Sequence, residues 1–371
     1  MKQQTQVALV RRILDHVASK TTDTADEPST LPVAAYVDAA RLARENEVLF
    51  RKLPLIVGHT RMLPNPGDFI THDLSGLPLL VVRKDDGSLA AHLNVCRHRG
   101  TRVEPARCGS KKAFSCPYHA WTYARDGRLL TIPHERGFAG IDKTERGLAS
   151  VPVREEAGLI WIRPTPGWLE DLADDLVGFG IDSAYVYDER HFEKELSWKL
   201  ALDVFLEAYH LKTTHRETIY PLFFDNLGLV EPHGPHLRNV FPKRTVRDLP
   251  SHPEETWRLR EHANVLYHLF PNTLVLVQPD HAAVVHVWPD GPMRSKLHTY
   301  TLIPEPATTE KARKYWDANN AILYGATDED FVNGESIQRG LTSGANREVV
   351  FGAFEHGLAH FHREIERRTA P

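Results

Sequence analysis

The sequence predicts an α+β protein in two parts: a small all-β domain, then an α+β domain in which antiparallel sheet is flanked by helices. Three observations carry this reading. From about Leu55 to Arg163 the apolar stretches are short and separated by turn residues. Near "TPGWLEDLADDLVGFG" the texture changes, and longer strand patterns follow. The last part of the chain has helical spacing. A length of 371 residues favours more than one core. The boundaries expected are 1–44 for an N-terminal helical segment, 45–165 for the β domain and 166–371 for the α+β domain.

The elements follow in order. In "MKQQTQVALVRRILDHVASK", Val7, Leu9, Val10, Ile13, Leu14 and Val17 fall near helical spacing, so an amphipathic helix opens the chain. Its frequent charges do not read as a signal peptide. "STLPVAAYVDAARLARENEVLF" reads as a linker, then a helix. Hairpins are expected around Asp86-Gly87 and Asp126-Gly127, and a strand pair in "VPVREEAGLIWIRP". A helix is expected around Trp168–Val177, then strands in "SAYVYDERHFEKELSWKL", "NVLYHLFPNTLVLVQPD" and "HAAVVHVWPDG". Three helical segments close the chain: "TTEKARKYWDANNAILYG", "DEDFVNGESIQRGL" and "AFEHGLAHFHREIERR".

Composition narrows the function. Hydrophobic residues make up 42%, charged residues 25%, and the net charge is -4, which suits a soluble protein with no nucleic-acid or membrane partner. No apolar run approaches a bilayer's thickness. Three cysteines fit a reducing cytoplasm rather than a disulfide framework.

Two of those cysteines lie in "CRHRGTRVEPARCGSKKAFSCPYHAW". Cys96-x-His98 is followed, after seventeen residues, by Cys116-x-x-His119. Thiolate and imidazole are both metal ligands, and paired short spacings let one loop offer two ligands to one centre. Two centres compete: zinc in one tetrahedron, or a Rieske 2Fe-2S cluster with cysteines on one iron and histidines on the other. Mixed pairs after strand patterns favour the cluster. Incidental buried cysteines beside surface histidines would rarely produce two such pairs. Cys108 has no partner at ligand spacing and reads as incidental.

"CRHRGT" and "CPYHAW" resemble the cluster motif of Rieske non-haem iron oxygenases, the aromatic-ring-hydroxylating family, in its alpha (catalytic) subunit. The likeness covers roughly residues 45 to 365 and implies a helix-grip catalytic domain. In "SWKLALDVFLEAYHLKTTH", Trp198, Lys199, Glu207, Tyr209, His210 and His215 match the family, whereas Ser197 and Val204 stand where it often has Asn. Two histidines and a carboxylate on one face suit a mononuclear iron(II). Spacing of three puts Glu207 and His210 on one helix face, but spacing of five requires the helix to widen or stop between His210 and His215. Of Asp328, Glu329 and Asp330, the resemblance selects Asp330 as third ligand, with Glu335 and Gln338 following. Acids at a helix start are also favoured by the helix dipole alone. "LYHLFPNTLVLV" resembles the family's strand beneath the active site.

The resemblance further implies that Glu207 bridges a cluster histidine, His119, to His210 across neighbouring subunits of a head-to-tail trimer, with or without accompanying beta subunits. Electrons would come from NAD(P)H through a flavin reductase, a ferredoxin, or both, because no dinucleotide fingerprint is visible. Dioxygen and a small organic, aromatic substrate would then give hydroxylation, dihydroxylation or oxidative demethylation. The alternatives are a Rieske electron carrier with a non-catalytic binding domain, and a structural zinc domain on a lipid-binding α+β module.

Overall fold

The structure is a computed structural model that describes residues 1–74 and 76–370. The chain forms two compact units, Phe50–Trp168 and, together, Met1–Leu49 with Leu169–Pro371.

The chain opens with the expected helix, Gln3–Ser19, which buries Leu9, Val10 and Ile13. Strand β1 (Ser29–Pro32) follows where a linker was expected. A helix over Ala39–Glu45 is capped by the Asp38 carboxylate, which accepts from the Ala40 and Arg41 N–H groups.

The Phe50–Trp168 unit is built from short antiparallel strands: β2 (Leu55–His59), β3 (Asp68–Leu74), β4 (Leu77–Arg83), β5 (Leu89–Leu93), β6 (Cys108–Ser110), β7 (Ala113–Ser115), β8 (Thr122–Ala124), β9 (Leu129–Thr131), β10 (Ser150–Val151), β11 (Val153–Glu156) and β12 (Leu159–Ile162). They form sheets in the orders β10-β5-β4-β3-β6, β11-β12-β2 and β7-β8-β9. The hairpins at Asp86-Gly87 and Asp126-Gly127 are those expected, with both glycines at positive φ. Phe69, Leu80, Phe114, Trp121 and Tyr123 pack with Cys96 and Cys116 in one apolar cluster.

Residues 169–370 supply β13 (Tyr185–Lys194), β14 (Leu229–His233), β15 (His236–Pro242), β16 (Ala263–Leu269), β17 (Thr273–Val277), β18 (Ala282–Pro289), β19 (Ser295–Ile303) and β20 (Glu348–Phe351). β20 pairs with β1. The others form one seven-stranded antiparallel sheet, ordered β13-β19-β18-β17-β16-β15-β14. The stretch "LYHLFPNTLVLV" is the β16–β17 hairpin rather than one strand.

Two helical expectations are corrected. No helix runs from Trp198 through His215: one helix covers Trp198–Asp203, and a single turn covers Leu211–Thr214. Glu207 therefore sits in a non-helical connection, not on a helix face. Nor do two helices lie between Glu310 and Thr342, which form one helix of 33 residues. Asp328, Glu329 and Asp330 lie in its interior, so the dipole of a helix start does not explain them.

Candidate functional site

The Phe50–Trp168 unit brings Cys96, His98, Cys116 and His119 together on two loops built alike. In each, the cysteine N–H donates to a carbonyl five residues on, Thr101 or Trp121, at 2.8 and 2.9 Å. Each cysteine carbonyl accepts from the N–H four residues on, Gly100 or Ala120, at 2.9 Å. That residue has positive φ in both loops, 83° at Gly100 and 56° at Ala120. Glycine adopts this conformation freely; alanine does so at a cost of roughly 1 kcal/mol or more.

The loops aim two pairs of donors. His98 Nδ1 and His119 Nδ1 lie 3.1 Å apart, close to the roughly 3.3 Å edge of a tetrahedron with bonds of about 2.0 Å. One iron could take both imidazoles through Nδ1. Both cysteines are buried, and Cys96 lies near enough to influence the Cys116 thiol. Burial and the neighbouring Cys96 push the Cys116 thiol up, which makes it a poor surface nucleophile but leaves it a ligand for a cation strong enough to displace its proton. The donor set fits a 2Fe-2S cluster with nitrogens on one iron and sulfurs on the other.

Neighbours fix the rings. Trp121 stacks on His98 at 5.1 Å between centroids and 6° between planes, and Phe138 meets both edge-on. Tyr118 lies against His119, and Arg99 Nη2 lies 3.2 Å from His119 Nε2. Desolvation and the Arg99 charge hold the His119 pKa below the usual imidazole range, which favours the neutral form a metal needs. Tyr123 OH lies 3.3 Å from Cys96 Sγ and accepts from the Arg97 N–H at 2.9 Å. Such a hydroxyl can tune the potential of a sulfur-bound cluster. Cys108 is exposed on β6 and takes no part.

The other unit brings together His210, His215 and Asp330. Asp330 Oδ1 lies 3.4 Å from His210 Nε2 and 2.9 Å from His215 Nε2. The two histidines flank the single turn Leu211–Thr214, and this break solves the spacing of five. Of the three neighbouring acids, Asp328 is exposed beside Lys194 and Asp330 faces the histidines. Glu329 Oε2 accepts from Thr218 Oγ1 at 2.8 Å and lies 2.7 Å from His215 Nδ1. A carboxylate on the far nitrogen of a ligand histidine fixes its tautomer and raises its basicity. Sequence reasoning considered Glu329 only as a ligand and missed this role; a carboxylate adjacent to a chosen ligand was its one signal.

Glu207 does the corresponding work for His210. One of its oxygens meets His210 Nδ1, and the other accepts from the Tyr209 and His210 N–H groups. Burial disfavours a charged His210, but Asp330 and Glu207 outweigh it and push its pKa up to about 10. A cation entering this site must displace that proton.

The matched motif around Trp198 is structural. Trp198 Nε1 donates to Glu45 at 2.9 Å, and Lys199 pairs with the same buried carboxylate. Ser197 caps its helix, with its own N–H donating to Gln338 at 2.8 Å, while Glu335 accepts from the Glu195 N–H at 3.1 Å. These bonds tie the start of the histidine-bearing segment to the helix carrying Asp330.

An apolar cavity opens beside His210, His215 and Asp330 and meets Val204, Phe205, Phe223 and Phe241. A second, more enclosed cavity shares Phe205, Leu266, Leu276, Leu323 and Thr327 with it. Among the described residues lining both there is no lysine or arginine, and the carboxylates are Glu207 and Asp330 alone.

Comparison with known proteins agrees with both sets of donors. Residues 54–152 match the model of the Rieske [2Fe-2S] domain, and residues 181–370 that of the ring hydroxylating alpha subunit (catalytic domain). The chain is 28% identical to the glycine betaine monooxygenase oxygenase subunit of Chromohalobacter salexigens, over 90% of this chain and 84% of that one. It is 28% identical to the carnitine monooxygenase oxygenase subunit of Escherichia coli K12, over 91% and 92%. The solved quaternary ammonium Rieske monooxygenase CntA shares the fold, with a TM-score of 0.80 at 22% identity over 92% of this chain and 96% of that one. Members carry a Rieske 2Fe-2S cluster and a mononuclear iron, and the donors described fit both. With its catalytic-domain match spanning more than half its length, this chain belongs to the ring-hydroxylating alpha subunits, the catalytic components of Rieske non-haem iron oxygenases.

Proposed function

We propose that this oxygenase inserts oxygen into a small, uncharged, largely apolar molecule, with an aromatic ring as the favoured shape. The observation that carries this reading is the cavity lining: phenylalanines and leucines, and no cationic side chain among the described residues. A bound carboxylate would lie unpaired there, at a cost of several kcal/mol. One polar handle is available, since the Asn264 amide oxygen has no protein partner and lines the wall.

In this reading Cys96, His98, Cys116 and His119 hold the cluster, and His210, His215 and Asp330 hold the iron. When bound, the two groups supply electron storage and dioxygen activation. The chain orients the substrate and excludes water. Glu207 fixes His210 and relays electrons from a cluster whose nearer histidine is His119 of a neighbouring copy in a head-to-tail trimer. NAD(P)H feeds the cluster through a separate flavin reductase or ferredoxin, in the cytoplasm.

A second reading has an observation of its own. The relatives named above act on quaternary ammonium compounds, and Phe205, Phe223 and Phe241 stand beside two carboxylates. Aromatic faces attract such cations. The absence of a cationic partner then favours a methylammonium without a carboxylate, such as choline, over carnitine or glycine betaine.

A substrate panel with NADH and a reductase separates these, scoring oxygen uptake together with product. The first reading expects coupled turnover of toluene, anisole or indole. Turnover of choline alone replaces it with the second. Coupled turnover of carnitine or glycine betaine overturns the argument from the cavity lining.

A further inference from the structure

The seven-stranded sheet carries a second group of two histidines and a carboxylate, unconnected with the proposed substrate. Glu189 and His191 lie on the edge strand β13, and His298 lies on its neighbour β19, directly opposite His191. Glu189 Oε1 is 3.1 Å from His191 Nε2 and 3.1 Å from His298 Nε2. The donor atoms of all three lie within 4.8 Å of one another. In the iron-type triad the corresponding oxygen-to-nitrogen distances are 3.4 and 2.9 Å. The first set lies just below, and the second brackets, the roughly 3.3 Å edge expected between ligands of a tetrahedral metal with bonds of about 2.0 Å.

The sheet is built to bring these side chains together. Between Val186 and Glu189 the register with β19 shifts: three steps along β13 match two along β19, from Leu302 to Tyr300. A one-residue slip moves every later side chain to the other face. Without it, Glu189 and His191 would face away from His298. The face matters, because Phe192, Leu297 and Thr299 line the apolar cavity. By strand alternation, His191 and His298 occupy the opposite face.

Surroundings complete a half-open site. The His298 side chain is 6% exposed, Glu189 33% and His191 40%. The two imidazoles stack at 4.2 Å with 8° between planes, so the exposed His191 ring must turn out of the stack for both Nε2 atoms to meet one ion; His286, opposite His298 on β18, backs the buried ring at 5.5 Å. His286 is itself held at both nitrogens, 2.9 Å from Thr273 Oγ1 and 3.2 Å from Tyr300 OH. One donor is thus rigid and buried, and two are partly exposed on the edge strand β13.

We propose that Glu189, His191 and His298 form a second metal site, selective for a borderline divalent ion such as Zn²⁺, with water as the fourth ligand. Two imidazoles and one carboxylate with an open position are a donor set zinc commonly takes.

The test titrates Zn²⁺ into iron-loaded protein by calorimetry in a non-chelating buffer, with iron content measured before and after. One saturable site per chain is expected, with no iron released. His191→Ala should abolish that site; because His191 is exposed, the change leaves the core intact. Asp330→Ala should keep it. Absence of a saturable site overturns the proposal. So does zinc binding that survives His191→Ala, or that disappears in Asp330→Ala, since the zinc would then occupy the iron residues.

Discussion

The two sets of candidate ligands are organised by opposite means. Cys96 with His98, and Cys116 with His119, sit on two short loops that close with the same hydrogen bonds and the same positive-φ residue. Each loop carries its own geometry. His210, His215 and Asp330 have no such autonomy: 114 residues lie between the last two, and they meet because a long helix docks beside a one-turn segment. One site is written in local backbone conformation, the other in tertiary packing. Damage should therefore spread differently from each.

The largest effects come from removing one ligand on each side. Cys116→Ser should abolish the visible absorption and the low-average-g EPR signal of the reduced cluster, while mononuclear iron stays near one per chain. Asp330→Ala should do the reverse, losing that iron and all turnover with the cluster spectrum intact. Full activity in Asp330→Ala would show that Asp330 is not the ligand.

A smaller effect is expected where neither metal is lost. Glu207→Gln keeps the hydrogen-bond shape but not the charge that holds His210. Both metals should remain, and single-turnover oxidation of the reduced cluster should slow by about 100-fold. Unchanged electron transfer with both sites filled would refute the relay. Smaller still, Glu329→Gln should weaken iron affinity about tenfold, read by chelator competition, because it loosens only the far side of His215.

The pH dependence sharpens the same contrast. With its pKa pushed up to about 10, His210 holds a proton across the neutral range, and metal binding must release it. Iron affinity of the apoprotein should rise with pH between about 6 and 8, by up to roughly tenfold per unit. Glu207→Gln removes one cause of the raised pKa and should flatten that slope. An affinity independent of pH would mean that His210 is not displaced by the metal.

This contrast also decides what could be read from the sequence. The proposed cluster residues were legible as a group because their spacing is the structure: two mixed pairs, each on one tight loop. Asp86-Gly87 and Asp126-Gly127 announced their hairpins for the same reason. Ala120 gave no signal, since its left-handed conformation is imposed by the loop around it. The helix break after Asp203 was invisible because "LALDVFLEAYHL" has no Pro or Gly to mark an end. Conversely, Gly325 suggested an end that does not occur. An interior glycine costs only about 1 kcal/mol relative to Ala, and burial of Trp316, Ala326 and Phe331 along one helix outweighs it. The roles of Glu45 and Glu329 depend on partners more than a hundred residues away, which no local pattern reports.

The continuity of that helix bears on how long a bound iron would stay. Asp330 lies twenty residues from the helix start and twelve from its end. Helix ends fray at almost no cost, whereas interior turns open only with larger cooperative units. A carboxylate ligand near an end would leave and return on the timescale of fraying. Held in mid-span, Asp330 is presented by backbone that shifts only when a larger segment of the unit opens, so fraying of the helix ends does not shorten the stay of the metal. Amide hydrogen exchange at Asp330 should accordingly be slower than at either end of the helix.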